Sequence, residues 1–225
     1  MAEDWSDDEL KASVAAYRKM QALDRAGEQR FKKQVYRDLA AQFGRTEKAF
    51  EFRMQNISAV LSMLGRGWLT GLKPAAHVGA NVAAKLESLI NEVDNVQASP
   101  RVEFEVAVRE QTKRKAVEQP SGQAAPSKTT TAVTSFARDP AVKAWVLRRA
   151  KGHCECCNSP APFVMPDGTP FLEVHHLRTL ADGGSDQVSN AVALCPNCHR
   201  QMHYGKLAPD MRASVQAKVS ELQHE

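Results

Sequence analysis

The sequence predicts an α+β protein in three parts. These are a mainly α-helical N-terminal domain over residues 1–98, a flexible linker over 99–135, and a small mixed C-terminal domain over 136–225. Three observations predict this division. Apolar residues recur at helical spacing through the N-terminal part, which is the signature of amphipathic helices. Gln119 to Thr131 lacks the apolar side chains to build a core and reads as a tether. Two C-x-x-C pairs, Cys154/Cys157 and Cys195/Cys198, then bracket His175-His176, and His199 and His203 follow four residues apart.

Composition sets the bounds. At 225 residues, with 43% hydrophobic and 25% charged residues, the chain has room for two modest domains and a linker. A net charge of +4 and a pI near 8.8 permit nucleic-acid binding without arguing for it. Five cysteines, no signal peptide and no long apolar run exclude a membrane protein and place the chain in the cytoplasm. Met1 to Glu9 is acidic, unlike a targeting sequence.

Along the N-terminal part, Ser6 and Glu9 form a capping box for a first helix carrying Leu10, Val14 and Tyr17, since each side chain satisfies the other's backbone N–H. A second helix is expected over Gln29 to Phe43, with Phe31, Val35 and Leu39 on one face. Gly44 breaks it, and Thr46 caps a third helix bearing Phe50, Met54, Ile57 and Leu61. A Gly-rich loop, Gly65 to Gly79, contains Trp68. That ring either packs on the helices or serves as a platform for a flipped base, and packing is the commoner outcome. A fourth helix should cover Val82 to Val93. Val102, Phe104, Val106 and Val108 alternate with Glu103 and Glu105, which predicts a strand. Lys113-Arg114-Lys115 is a short basic run of the kind that is usually only solvated.

In the C-terminal part, Asp139-Pro140 is an N-cap followed by a first-turn proline, and the helix it opens ends near Gly152. Pro166-Asp167-Gly168 reads as a turn between two short strands. The apolar run from Phe171 predicts a strand ending in His175 and His176, and Asp182-Gly183-Gly184 predicts a turn. Asn190 to Leu194 reads as a second strand, and Pro196 opens a helix that places His199 and His203 on one face. This order brings His175, His176, Asn190, His199 and His203 together. Met211, Val215, Val219 and Leu222 mark a last amphipathic helix, which either packs on this domain or pairs with a second copy to give a homodimer.

Four thiolates complete the tetrahedral shell of a structural Zn²⁺, and each C-x-x-C turn supplies two of them. Cys156 could shift the first pair by one residue, but Cys154/Cys157 has the spacing that matches Cys195/Cys198. Structural zinc contributes about 10–16 kcal/mol of apparent binding energy, enough to hold a short, loop-rich segment folded.

With these residues laid out, the segment from Arg138 to Gly205 resembles the HNH nuclease motif of the ββα-metal fold, with His176, Asn190 and His199 at the name-giving positions. It is similar in particular to the nuclease domain of McrA-type restriction endonucleases, whose substrate is DNA carrying modified cytosine. The resemblance implies that His176 is the general base that activates water and that Asn190 orients it by a hydrogen bond. It also implies that His175, His199 and His203 hold one catalytic divalent cation. Imidazole ligands suit Mn²⁺, Co²⁺ or Ni²⁺ better than Mg²⁺. Hydrolysis would leave a 3′-hydroxyl and a 5′-phosphate. Arg148, Arg149 and Lys151 at the end of the Asp139 helix are candidate DNA-backbone contacts.

Trp5 to Leu61 resembles the three-helix helix-turn-helix modules of the Myb-like or homeodomain-like kind, whose third helix enters the major groove. Its exposed face would offer Arg45, Lys48, Glu51, Arg53 and Gln55, with Arg45 and Lys48 as the DNA contacts. A helical domain for dimerisation or protein contact is the alternative at this end. For the whole chain, the rivals to a restriction enzyme are a DNA-binding regulator with a purely structural zinc domain and a non-specific HNH DNase.

Overall fold

A computed structural model of the chain describes residues 4–28, 32–97, 100–115, 119–127, 130 and 132–224. They divide into two units, Met1–Thr134 and Ser135–Glu225. The first is all helix; the second is a two-stranded sheet with helices around it. The chain is therefore of the α+β class.

In the first unit, α1 spans Asp7–Arg25 and starts with the capping box: the Ser6 N–H donates to Glu9 at 2.7 Å and the Glu9 N–H donates to the Ser6 hydroxyl at 3.2 Å. Helix α2 spans Lys32–Phe43; Phe31 and the expected start at Gln29 lie outside the described residues. Gly44, at φ +74, makes the turn that an L side chain resists. Helix α3, Glu47–Met63, starts on Thr46, whose hydroxyl accepts the Ala49 N–H. Leu10, Val14 and Tyr17 of α1 meet Phe50, Met54, Ile57 and Leu61 of α3 and Leu86 and Ile90 of α4, Ala80–Val93, in one core. Tyr17 is buried because its hydroxyl is satisfied twice, by the Ser58 hydroxyl and by the Leu69 N–H, both at 2.8 Å. Trp68 is half-buried against this core.

The strand expected over Val102 to Val108 is instead a helix, α5, Val102–Thr112. Its buried residues are Val102 and Val106, spaced for a helix, whereas Phe104 is 69% exposed and Val108 is also exposed. The alternation is real, but the partner surface is α4. The buried carboxylate of Glu87 on α4 accepts the N–H groups of Arg101 and Val102, so a tertiary contact caps this helix. Part of the segment expected as linker thus belongs to the first unit. The described residues from 119 to 134 form no helix or strand.

In the second unit, α6, Pro140–Ala150, is capped by the Asp139 carboxylate on the Ala141 N–H at 2.8 Å and stops at Lys151 (φ +50) and Gly152 (φ +77). Strand β1, Glu173–His176, pairs antiparallel with β2, Ala191–Leu194, in the register Glu173 to Leu194 and His176 to Ala191. All four β2 residues are buried. The Pro166–Gly168 turn is present, but only an isolated bridge, Val164 to Pro170, flanks it rather than two strands. Helix α7 spans Pro196–Tyr204 and α8 spans Ala208–Lys218. Val215 is fully buried, and Met211, Val219 and Leu222 pack on the same core. The apolar residues of α8 and of the segment after it thus pack at least in part on their own unit.

Candidate functional site

Cys154, Cys157, Cys195 and Cys198 converge, their sulfurs all within 4.8 Å of one another. Cys157 Sγ and Cys195 Sγ are 4.0 Å apart, close to the roughly 3.8 Å edge of a zinc tetrathiolate with Zn–S bonds of about 2.3 Å. Local structure sets this up. The first pair lies on a knuckle closed by Asn158 at φ +60, and Cys195 and Cys198 occupy the N-cap and first turn of α7. A hydrogen bond with Ser159 brings the Cys157 thiol down to about 6, while burial pushes the Cys154 and Cys198 thiols up. The four converging sulfurs fit a structural zinc. Cys156 is half-buried and outside the group.

Behind this cluster, β1 presents His175 and α7 presents His199 and His203. The three rings have centroids 4.7 to 5.0 Å apart. Nε2 of His199 and Nε2 of His203 lie 3.2 Å apart, near the roughly 3.3 Å separation of two imidazole nitrogens on one tetrahedral ion with bonds of about 2.0–2.1 Å. His175 is 3% exposed, and its buried Nε2 has no hydrogen-bond partner among the described residues. Burial, and then the neighbouring His203 and His199, push its pKa down to about 2, so it is a neutral imidazole with a lone pair to give. A buried imidazole nitrogen without a hydrogen-bond partner, in a trio whose ligand atoms lie within 4.8 Å of one another, fits the donor set of a divalent cation. Glu173, two residues before His175 on the same face of β1, sets His199 by a 2.6 Å contact to Nδ1. The trio opens on a cleft of about 270 Å³ that also includes His176 and Arg138.

His176, the next residue on β1, lines the same cleft as the trio. Its Nε2 lies 2.8 Å from Oδ1 of Asp186. Asn190, expected to orient His176, has its amide engaged elsewhere. Asn190 is 1% exposed, and its amide is fully used by backbone: Oδ1 accepts the Arg178 N–H, and Nδ2 donates to the carbonyls of Arg178 and Ser185, at 2.8 to 2.9 Å. Asn190 therefore pins the loop between the strands, and that loop carries Asp186 to His176. Gly184 is part of the arrangement, since a Cβ there would meet the Arg178 carbonyl oxygen at 2.1 Å.

Sequence reasoning missed both carboxylates. Glu173 had a signal in the two-residue periodicity it shares with His175; Asp186 had none, because its approach to His176 is made by the loop.

The expected DNA contacts fare differently. Arg148 and Lys151 are exposed at the end of α6. Arg149 is engaged within its own unit: its guanidinium holds Glu155 through two bonds at 2.7 and 3.0 Å, Glu221 at 3.0 Å and the Ala191 carbonyl at 2.8 Å. It ties α6, the cysteine knuckle, β2 and the C-terminal segment together. Arg45 is likewise engaged inside its own unit, with Glu9 and the Asp4 carbonyl and against the Trp5 ring. Lys48 is exposed and reaches Glu51 at 2.9 Å. Arg53, expected on the exposed face of α3, is buried.

Residues 154–205, which enclose both metal clusters, match the family described as HNH endonuclease. The chain is 44% identical over 110 residues to the "Type IV methyl-directed restriction enzyme EcoKMcrA" of Escherichia coli, covering 49% of this chain and 40% of that one. It is 43% identical over 37 residues to "Anaredoxin" of a Nostoc species, covering 16% of this chain and 49% of that one. The solved "Type IV phosphorothioation-dependent restriction endonuclease ScoMcrA" matches at 34% identity over 38% of this chain and 19% of its own, with a TM-score of 0.34. The chain thus spans less than half the length of the curated relatives it matches.

Proposed function

We propose, from a C-terminal unit that is an HNH endonuclease domain, that the whole protein is a metal-dependent DNA endonuclease of restriction type acting on DNA with modified cytosine. The observation that carries the nuclease reading is the buried, unpartnered Nε2 of His175 facing His199 and His203, with His176 the next residue on the strand. The modified-base reading is supported by the similarity to a methyl-directed enzyme.

In this reading His176 is the general base. Its Nε2 is engaged by Asp186, which selects the tautomer with a proton on Nε2 and leaves Nδ1 to take the proton of the attacking water. His175, His199 and His203 would hold a divalent cation, which would stabilise negative charge on the scissile phosphate and the leaving oxygen. A ligand set of imidazoles favours Mn²⁺, Co²⁺ or Ni²⁺ over Mg²⁺. Glu173 keeps Nε2 of His199 turned to the metal position. Asn190 holds the loop that brings Asp186 to the base. Arg148 and Lys151 are the exposed cations placed to meet DNA phosphates. Such an enzyme works in the cytoplasm, where foreign DNA arrives; no described helix is long and apolar enough to cross a membrane.

The test is cleavage of matched methylated and unmethylated plasmids in Mn²⁺ by the wild type and by His176→Ala. Cutting by the wild type alone, confined to methylated DNA, supports the full reading. Equal cutting of both plasmids removes the dependence on that modification and leaves the nuclease. No cutting in Mn²⁺, Co²⁺ or Ni²⁺ sinks the nuclease reading and favours a DNA-binding protein with an architectural zinc.

A further inference from the structure

Helix α4 begins without a side-chain cap. Gly79 holds the N-cap position and offers no acceptor to the first-turn N–H groups, and the positive end of a helix attracts anions. Many helices share that property. What sets this end apart is Arg53 of α3, which lines the same cleft of about 580 Å³.

Arg53 is only 7% exposed. Its Nε is buried without a hydrogen-bond partner among the described residues, and its guanidinium sits 4.2 Å from the centroid of the Trp5 ring. Neighbouring charges are already matched: Arg45 is held by Glu9, and Lys85, on the rim, reaches Asp7 at 2.9 Å. Burial, reinforced by the charge of Arg45 and only partly offset by Glu9, pushes the Arg53 guanidinium down to about 10. A guanidinium whose Nε is stripped of water without a hydrogen-bond partner, and whose nearest carboxylate, Glu9, is already held by Arg45, is costly to a small domain, and that points to an anion supplied from outside.

We propose that this cleft binds a phosphate group, shared between the first-turn N–H groups of α4 and the Arg53 guanidinium, with Lys85 at the rim. The two donor sets come from different helices, and a phosphate has enough oxygens to serve both. Gly79 leaves open space at the helix end. Asp4 is the acidic residue among those that line the cleft, and its carboxylate opposes the anion. A nucleic-acid backbone and a free phosphate or nucleotide present the same oxygens, so the same chemistry serves either source.

The test is a nuclear magnetic resonance titration of the isotope-labelled full chain with inorganic phosphate, against sodium chloride at matched ionic strength. The N–H signals of Ala80 and Asn81 and the Nε–H of Arg53 are expected to shift with phosphate and not with chloride. Arg53→Met exchanges a buried cation for an apolar chain, so it should fold and melt no lower than wild type while weakening phosphate binding roughly ten- to a hundredfold. Lys85→Ala, at an exposed position, should weaken binding by a smaller factor and leaves the core intact should Arg53→Met melt early. The same titration with a short DNA duplex separates the sources. Shifts of these resonances at duplex concentrations where inorganic phosphate is silent assign the site to nucleic acid, and shifts with inorganic phosphate alone assign it to a small anion. Equal shifts in wild type and both variants, or a response to neither ligand, overturns the proposal. The readout is independent of DNA cleavage, so a failure of the nuclease reading leaves it standing.

Discussion

Oε2 of Glu173 lies 2.6 Å from Nδ1 of His199, and the other nitrogen of that ring faces His203 at 3.2 Å. A carboxylate behind a ligating histidine fixes the ring's tautomer and raises its basicity. Glu173→Gln should keep the fold and weaken Mn²⁺ binding by about 10–100-fold. Calorimetric titration of Mn²⁺ into the zinc-loaded protein measures it, and unchanged affinity would remove Glu173 from the site.

Asp186 accepts from two donors, Nε2 of His176 at 2.8 Å and the Asp139 N–H at 2.6 Å. An amide at this position can present its nitrogen to His176 and disturb the tautomer. Asp186→Asn should therefore lower the cleavage rate at saturating metal while Mn²⁺ affinity stays as in wild type. His176→Ala, which removes the base, should cost about 10²–10⁴-fold in rate. A drop in metal affinity in parallel with rate for Asp186→Asn would instead make Asp186 a structural support of the trio.

Arg149, with its side chain 15% exposed, is bound to two carboxylates and a carbonyl. Removing the arginine leaves the largely buried Glu155 with only the Ala193 N–H, a loss that approaches the roughly 3–5 kcal/mol of a broken buried pair. Arg149→Met should lower the melting temperature of the C-terminal unit and leave the N-terminal helices unchanged. Circular dichroism and differential scanning calorimetry follow the two transitions. Wild-type stability in this variant would return Arg149 to the list of DNA-contacting cations.

Removal of zinc should unfold the second unit and spare the first, because the cysteine knuckle joins α6, β2 and α7, while the core of the first unit holds no metal cluster among the described residues. Strong chelation should abolish near-ultraviolet signals from Trp145 and retain most of the helical signal. Cys198→Ser should behave in the same way without chelator. Loss of the entire helical signal on chelation would show that the first unit depends on the second.

Local chemistry was legible in the sequence. Ser6 with Glu9, Thr46, Asp139-Pro140 and Pro196 start helices where the chain says they do, because a cap is an interaction between residues at most three apart. The two metal clusters were legible for a related reason, since thiolate and imidazole spacing within a turn or one helical repeat is set by the backbone. Tertiary structure decided what depends on distant partners. Val102 to Val108 reads as a strand by alternation, and only the Glu87 carboxylate and the face of α4 make it helix α5. Asp186 was placed on His176, and the Asn190 amide on backbone groups, by a loop whose path depends on Gly184 and the carbonyls it passes. The arginines separate for the same physical reason. Charge is read from the letter, but whether Arg149, Arg45 or Arg53 meets a carboxylate or an aromatic ring is fixed only when helices far apart in the chain close on one another.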